Sequence, residues 1–188
     1  IRVDYEINQC LSDFFENMPE LKYDLDKNWA NTCMNWREKW PVFSEKYYNT
    51  ETGVNMYLIL EELSKRLNKN EIVVSDAGSA YYVTSQTLKI KGALRYITSG
   101  SQADMGFTLP ASIGAAVAAE GLRKVIGITG DGSFQMNIQE LQTIVNYNLP
   151  IKIFILNNGG YLSIRNTMDK FFEGRYFGTD AGSGLVLP

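Results

Sequence analysis

No histidine occurs among the 188 residues. That absence removes Ser-His-Asp and Cys-His catalytic arrangements and every histidine-ligated zinc site, so any acid–base chemistry must come from elsewhere. Cysteine is scarce as well: Cys10 and Cys33 form no metal-spaced cluster. No apolar run approaches the length needed to span a bilayer, which excludes a membrane partner. Charge is balanced, with 18 basic and 21 acidic residues, a formal charge of −3 and no long like-charge run. Nothing therefore draws the chain to nucleic acid or to an anionic surface. These absences point to a reduced, cytoplasmic setting with small molecules or further copies of the chain as partners. The opening Ile1-Arg2-Val3-Asp4 lacks both an initiator methionine and a signal-peptide pattern, and the expectation is a piece of a longer protein.

What is present suits one well-packed domain with a small appendage, given a hydrophobic fraction of 45%. In the first 50 residues Trp29, Cys33, Trp36 and Trp40 recur at helical spacing, which predicts a helix over Lys27 to Trp40 stopped by Pro41. An irregular stretch to about Thr52 should follow. An apolar stripe of this kind is a packing face, so residues 1–52 read as a helical linker from a preceding domain. Residues 53–188 read as the ligand-binding domain, and Ala181 to Pro188 as a loop cut off before the next element.

From Asn55 the pattern is regular. Met56, Leu60, Leu63 and Leu67 mark an amphipathic helix. Short β-branched runs follow at Glu71 to Ser75, Val125 to Thr129 and Ile151 to Leu156, with helical segments near Tyr81 to Lys89, Leu109 to Ala119 and Asn137 to Tyr147. Runs apolar on both faces suit an open, mostly parallel α/β sheet covered by helices on both sides. Ligands of such folds sit where strand C-termini meet helix N-termini.

Two junctions of that type carry chemistry. The run Val125 to Thr129 leads into Gly130-Asp131-Gly132-Ser133, whose glycines allow a tight turn and whose N–H groups at Gly132 and Ser133 would face an anion. About two dozen residues later the next strand ends in Asn157-Asn158-Gly159-Gly160. Neighbouring parallel strands would thus deliver a carboxylate and a carboxamide to one edge. Mg²⁺ takes six oxygens and accepts one or two carboxylates beside phosphate oxygens and water, which Asp131, the Asn158 side-chain oxygen and the Gly160 carbonyl could help to complete. The plainer alternative makes Asp131 a helix cap and Asn158 a turn residue.

Gly130-Asp131-Gly132 followed by Asn157-Asn158 resembles the signature of thiamine-diphosphate-dependent enzymes, and residues 55–180 resemble most the large catalytic subunit of acetolactate synthase and its relatives. The resemblance implies that Asp131, Asn158 and the Gly160 carbonyl hold Mg²⁺. It implies that Gly78 and Ser79, in Ser75-Asp76-Ala77-Gly78-Ser79, contact the diphosphate, together with Gly130, Gly132 and Ser133. Tyr161 and Leu162 belong to the same implied cofactor site. Ser99-Gly100-Ser101-Gln102-Ala103-Asp104-Met105-Gly106-Phe107 resembles the segment that holds the aminopyrimidine. There the resemblance makes Met105 the wedge that bends the cofactor and the Ala103 carbonyl the acceptor of its amine. A bent cofactor removes its own proton, so a chain without histidine can belong to a catalyst. The glutamate that activates the pyrimidine belongs, in this family, to a separate domain, and this chain alone is expected to be inactive.

The implied function is decarboxylation of a 2-oxo acid with transfer of the acyl carbanion left behind, a transferase or lyase activity, in a homodimer or homotetramer of the full-length protein. Ser163 and Thr167 depart from the family, which usually places Met and Trp there on the substrate side, whereas Arg165, Phe171, Phe172, Arg175 and Tyr176 fit. The acetolactate reaction therefore stays open beside a decarboxylase, an oxidase or an acyl lyase of the same superfamily. A non-catalytic module for diphosphate ligands is a further alternative. The segment from Ala103 to Phe107, superfluous for bare diphosphate, speaks against it.

Overall fold

Alternation of apolar residues along the strands decides which helices cover which side of the sheet. The computed structural model describes residues 6–19, 27–51 and 53–187. The opening Ile1-Arg2-Val3-Asp4, Thr52 and the terminal Pro188 lie outside the described residues.

Contacts divide the chain between Pro41 and Val42, eleven residues before the boundary expected near 52. The reason is aromatic. Tyr47 stacks on Tyr57 at 5.4 Å and Lys65 sits over the Phe43 ring at 5.8 Å, so the stretch after Pro41 packs with the helix that bears Tyr57 and Lys65. The first unit holds helices α1 (Leu11–Glu16) and α2 (Lys27–Lys39). Trp29 and Trp36 meet edge to face at 5.6 Å on α2, yet no residue of α2 is buried within this unit, and Cys10 and Cys33 are free and exposed.

The second unit runs α3 (Met56–Arg66), β1 (Ile72–Ser75), α4 (Gly78–Thr87), β2 (Arg95–Thr98), α5 (Thr108–Ala118), β3 (Val125–Gly130), α6 (Asp131–Phe134), α7 (Glu140–Asn146), β4 (Ile151–Leu156) and α8 (Leu162–Phe171). Asn55 caps α3, its side-chain oxygen accepting the Tyr57 amide at 2.9 Å. All four strands are parallel, in the order β2-β1-β3-β4. Val73, Ile126 and Ile128 face α3 and α4, packing with Leu60, Leu67, Ala80 and Val83. Ile72, Val74 and Val125 point the other way, against Ala116 and its neighbours on α5. This period of two is the reason both faces of the sheet need a helical cover.

Gly127 has a packing role in the middle of β3. A Cβ there would lie 2.6 Å from Ile153 Cδ1 and 2.9 Å from Thr108 Cγ2, so only a glycine lets α5 approach so closely. Among the described residues no helix is long and apolar enough to cross a membrane.

Several elements differ from expectation. β2 is an unanticipated strand, and α8 an unanticipated helix. α4 starts at Gly78 rather than Tyr81, and α7 starts at Glu140 rather than Asn137, because the chain after β3 first passes through α6 and a 3₁₀ turn at Gln135–Asn137.

Candidate cofactor site

The C-terminal ends of the strands are tied together before any ligand is considered. Asp76, just past β1, is almost wholly buried, and its carboxylate accepts the Thr129 hydroxyl at 2.9 Å, the Ala77 amide at 2.9 Å and the Thr108 amide at 3.4 Å. The Thr108 hydroxyl donates to the Ile128 carbonyl at 3.1 Å. The ends of β1 and β3 and the start of α5 are thus joined through one charge lying at a helix N-terminus, where an anion is favoured.

Gly130 pairs with Leu156 in the β3–β4 register, so the residues after each strand leave the sheet at the same edge. Asp131 is buried there. One of its oxygens accepts the Gly132 amide at 2.8 Å, and the other accepts the amides of Asn158 at 3.2 Å and Gly160 at 2.9 Å. The carboxylate expected from the sequence to be a metal ligand therefore also shapes the loop that bears Asn158. The Gly132 amide, expected to face an anion, is occupied by Asp131. Gly132 itself lies under the Tyr161 ring, where a Cβ would come within 2.2 Å of Cε1.

Asn158 has both main-chain groups engaged, its amide with Asp131 and its carbonyl with the Arg165 guanidinium at 3.1 Å. Its side-chain oxygen is buried with no hydrogen-bond partner. Leaving such an acceptor unsatisfied costs about 1–3 kcal/mol, which a bound cation would recover. The hydroxyls of Thr84, Thr87, Thr98 and Ser112 are also buried without partners, but none of them lines the cleft that Asn158 lines. The Gly160 carbonyl accepts the Leu162 amide at 3.0 Å and keeps a second lone pair. Carboxylate, carboxamide oxygen and carbonyl form the hard, all-oxygen donor set suited to Mg²⁺, so the residues present fit the metal.

That cleft has a volume of about 270 Å³. Gly78 and Ser79 approach from α4. Ala103 and Met105 come from the loop before α5, Gly130 from the end of β3, and Asp131 and Ser133 from α6. Asn158, Gly160, Tyr161, Leu162 and Ser163 complete the wall. Gly78, at φ +56°, approaches Ser163 so closely that a Cβ would stand 3.1 Å from its hydroxyl oxygen. Ala103 also holds a left-handed φ of +56°, which costs an alanine of order 1 kcal/mol. Its amide bonds the Ser99 carbonyl at 3.0 Å, and the Ser99 hydroxyl accepts the Asp104 amide at 2.9 Å, which sets the direction of the segment carrying Met105.

Of the expected site residues Gly132 is absent from the cleft wall, and so is Thr167. One turn beyond Ser163 on α8, it donates to the Ser163 carbonyl at 3.1 Å and lines a neighbouring groove with Ile164, Met168, Phe172, Arg175 and Phe177. Tyr82 of α4 lines the main cleft and escaped sequence reasoning, because it falls within a helix otherwise read as packing. The bonds by which Asp76 and Arg165 tie segments together left no mark on spacing: Asp76 reaches Thr108 and Thr129, 32 and 53 residues away, and Arg165 reaches main-chain carbonyls.

Against known proteins, residues 76–185 match the family model described as thiamine pyrophosphate enzyme, C-terminal TPP binding domain. The acetolactate synthase large subunit of Pyropia yezoensis is 37% identical over 149 residues, covering 79% of this chain and 24% of that protein. The acetolactate synthase isozyme 2 large subunit of Escherichia coli K12 is 34% identical over 160 residues, covering 85% of this chain and 28% of that protein. A solved structure, the thiamine diphosphate-dependent 4-hydroxybenzoylformate decarboxylase of Rhodococcus jostii RHA1, superposes with a TM-score of 0.62 at 28% identity over 70% of this chain and 25% of that one. The chain spans about a quarter of the length of these relatives.

Proposed function

Because this chain belongs to the thiamine pyrophosphate enzyme family, as its C-terminal TPP-binding domain, we propose that it grips the cofactor's diphosphate through Mg²⁺ held by Asp131, Asn158 and the Gly160 carbonyl. The observation that carries this reading is the buried, unpartnered side-chain oxygen of Asn158 in the same cleft as the Asp131 carboxylate. Of the described side-chain atoms buried without a partner, that oxygen alone belongs to a residue lining the cleft, where a bound cation would satisfy it. Gly78, Ser79 and Ser133 line the diphosphate side. Ala103 and Met105 stand where the rings would lie, with Met105 as the wedge that keeps them bent.

When bound, the cofactor supplies the electron sink for breaking the bond between the carboxylate and the carbonyl carbon of a 2-oxo acid. This chain's residues bind, orient and exclude water. The whole protein decarboxylates a small 2-oxo acid and transfers the acyl unit in the manner of its acetolactate synthase relatives. It works in the cytoplasm as a homodimer or homotetramer, and the glutamate that activates the pyrimidine comes from another domain. Ser163 lines the cleft on the substrate side, where its small polar side chain leaves room for an acceptor bulkier or more polar than pyruvate.

The test is Asp131→Ala in the full-length enzyme. The account expects activity and Mg²⁺ dependence to fail together. Full activity with unchanged metal dependence would remove Asp131 from the site.

A further inference from the structure

The guanidinium of Arg165 makes three hydrogen bonds, all to main-chain carbonyls. Nη2 donates to Asn158 at 3.1 Å, and Nη1 donates to Gly159 at 3.1 Å and to Thr179 at 2.9 Å. Resting on the reading of the cleft above, we propose that Arg165 is a positioning residue for the metal loop: by engaging the main-chain oxygens of Asn158 and Gly159 it leaves the Asn158 side-chain oxygen and the Gly160 carbonyl as the donors turned to Mg²⁺.

Three observations converge on this assignment. The loop Asn157 to Gly160 exposes several candidate oxygens to a cation within a few residues, and a metal site needs a defined subset of them. Arg165 engages two of the competing ones. Asp131 holds the same loop from the other side through the amides of Asn158 and Gly160. The loop is thus gripped between an anion bonded to its N–H groups and a cation bonded to its carbonyls, a matched pair of charge-assisted contacts.

The third carbonyl joins the loop to a second segment. The Thr179 oxygen accepts both Arg165 and the Tyr161 amide, the latter at 2.8 Å, and a Cβ on Gly160 would come within 2.2 Å of that oxygen. Gly160, at φ +122°, is therefore pressed against residue 179 with the guanidinium spanning the junction. The Thr179 segment is itself fixed by Asp180, which caps the turn Ala181–Ser183 by accepting the Ser183 amide at 2.8 Å and its hydroxyl at 2.7 Å. A planar fork with donors on separate nitrogens can span carbonyls of two segments. A lysine, with its donors on one atom, cannot hold the same three.

The experiment compares full-length wild type with Arg165→Met, Arg165→Lys and, as a neighbouring exposed cation, Arg175→Met. Among the described residues, Arg175 reaches the Phe172 carbonyl and Glu173. Amide hydrogen exchange is measured on the cofactor-free proteins, and thiamine diphosphate binding is titrated against Mg²⁺. Arg165→Met should speed exchange of the Gly160 and Tyr161 amides at least tenfold while leaving β1 and β3 unchanged, and should raise the Mg²⁺ concentration for half-saturation at least tenfold. Arg165→Lys should fall between, and it decides the matter should the Met variant not fold. Arg175→Met should match wild type in both readouts. Wild-type Mg²⁺ dependence in the Arg165 variants overturns the proposal, as does faster exchange spread equally through β3, which would mark a general stabilising role. If wild type itself binds thiamine diphosphate without regard to Mg²⁺, the reading of the metal site fails along with it. If wild type is Mg²⁺-dependent and the variants are unaltered, only the role of Arg165 falls.

Discussion

Replacing Gly132 by alanine probes how tightly the two ligand loops are packed. The new Cβ would stand 2.2 Å from Tyr161 Cε1 and 2.5 Å from Cδ1, against an ordinary carbon–carbon contact near 3.5–4.0 Å. The ring would have to retreat by more than an ångström. Doing so would break the bond its hydroxyl accepts from Gln135 at 2.8 Å, a loss of about 1 kcal/mol. Overpacking of this kind costs about 1–3 kcal/mol by itself. Alanine gains up to about 1 kcal/mol over glycine in helical backbone, and less in a helix as short as α6. The net is a destabilisation of roughly 1–3 kcal/mol. A double-mutant cycle with Tyr161→Ala isolates the clash, since the alanine at 132 should become neutral or mildly stabilising once the ring is gone. Urea unfolding of the four cofactor-free proteins would give a coupling energy of about 2 kcal/mol. A coupling below about 0.5 kcal/mol would refute the packing described for Gly132 and Tyr161.

Asn158→Ala should leave the cofactor-free protein more stable by about 1 kcal/mol, because it removes a buried oxygen that has no partner, yet should abolish Mg²⁺-dependent binding; thermal melts with and without Mg²⁺ and cofactor separate the two. Asp180 has its carboxyl held below the usual range, chiefly by its side-chain and backbone bonds to Ser183. A depressed pKa in the folded state contributes stability that is complete above the unfolded value and is lost as pH falls through the folded one. The stability difference between wild type and Asp180→Asn should therefore shrink below about pH 4, as pH-dependent unfolding would show. Ser163→Met, inside the cleft, should shift full-length product ratios from bulkier adducts or simple decarboxylation toward acetolactate. Thr167→Trp, which lines the adjacent groove, should do so less, and product analysis with pyruvate checks both.

Where the chain carries short runs of β-branched residues, the fold was legible. Val73, Val74, Ile126 and Ile128 announce β1 and β3 because a strand buried on both faces requires them. β2 was hidden. It is a four-residue edge strand opening with Arg95 and Tyr96, and Tyr96 is fixed by its hydroxyl, against Ser75 at 2.5 Å and Ser85 at 2.9 Å, more than by apolar pattern. α8 was hidden as well, since Ser163, Asn166 and Thr167 are weak helix formers whose helicity follows from docking rather than propensity. The pairing of Asp131 with Asn158, the proposed metal ligands, was visible because each closely follows a strand, and parallel neighbours deliver such residues to one edge. The bonds of Arg165 and Asp76 run to main-chain groups and distant segments, so only coordinates reveal what those two residues hold together. Thr167 lines the adjacent groove for a geometric reason: four residues along a helix keep a side chain on the same face but carry it about 6 Å further along the axis.

Isothermal titration of the full-length protein with thiamine diphosphate, thiamine monophosphate and ADP, each with and without Mg²⁺, tests the central claim most directly. The account predicts that thiamine diphosphate binds tightly only with Mg²⁺, that the monophosphate binds far more weakly, and that ADP does not compete, because the diphosphate loops and the Ala103 to Met105 segment act on one ligand. Equal binding of ADP and thiamine diphosphate, or binding of thiamine diphosphate undiminished without Mg²⁺, would contradict it.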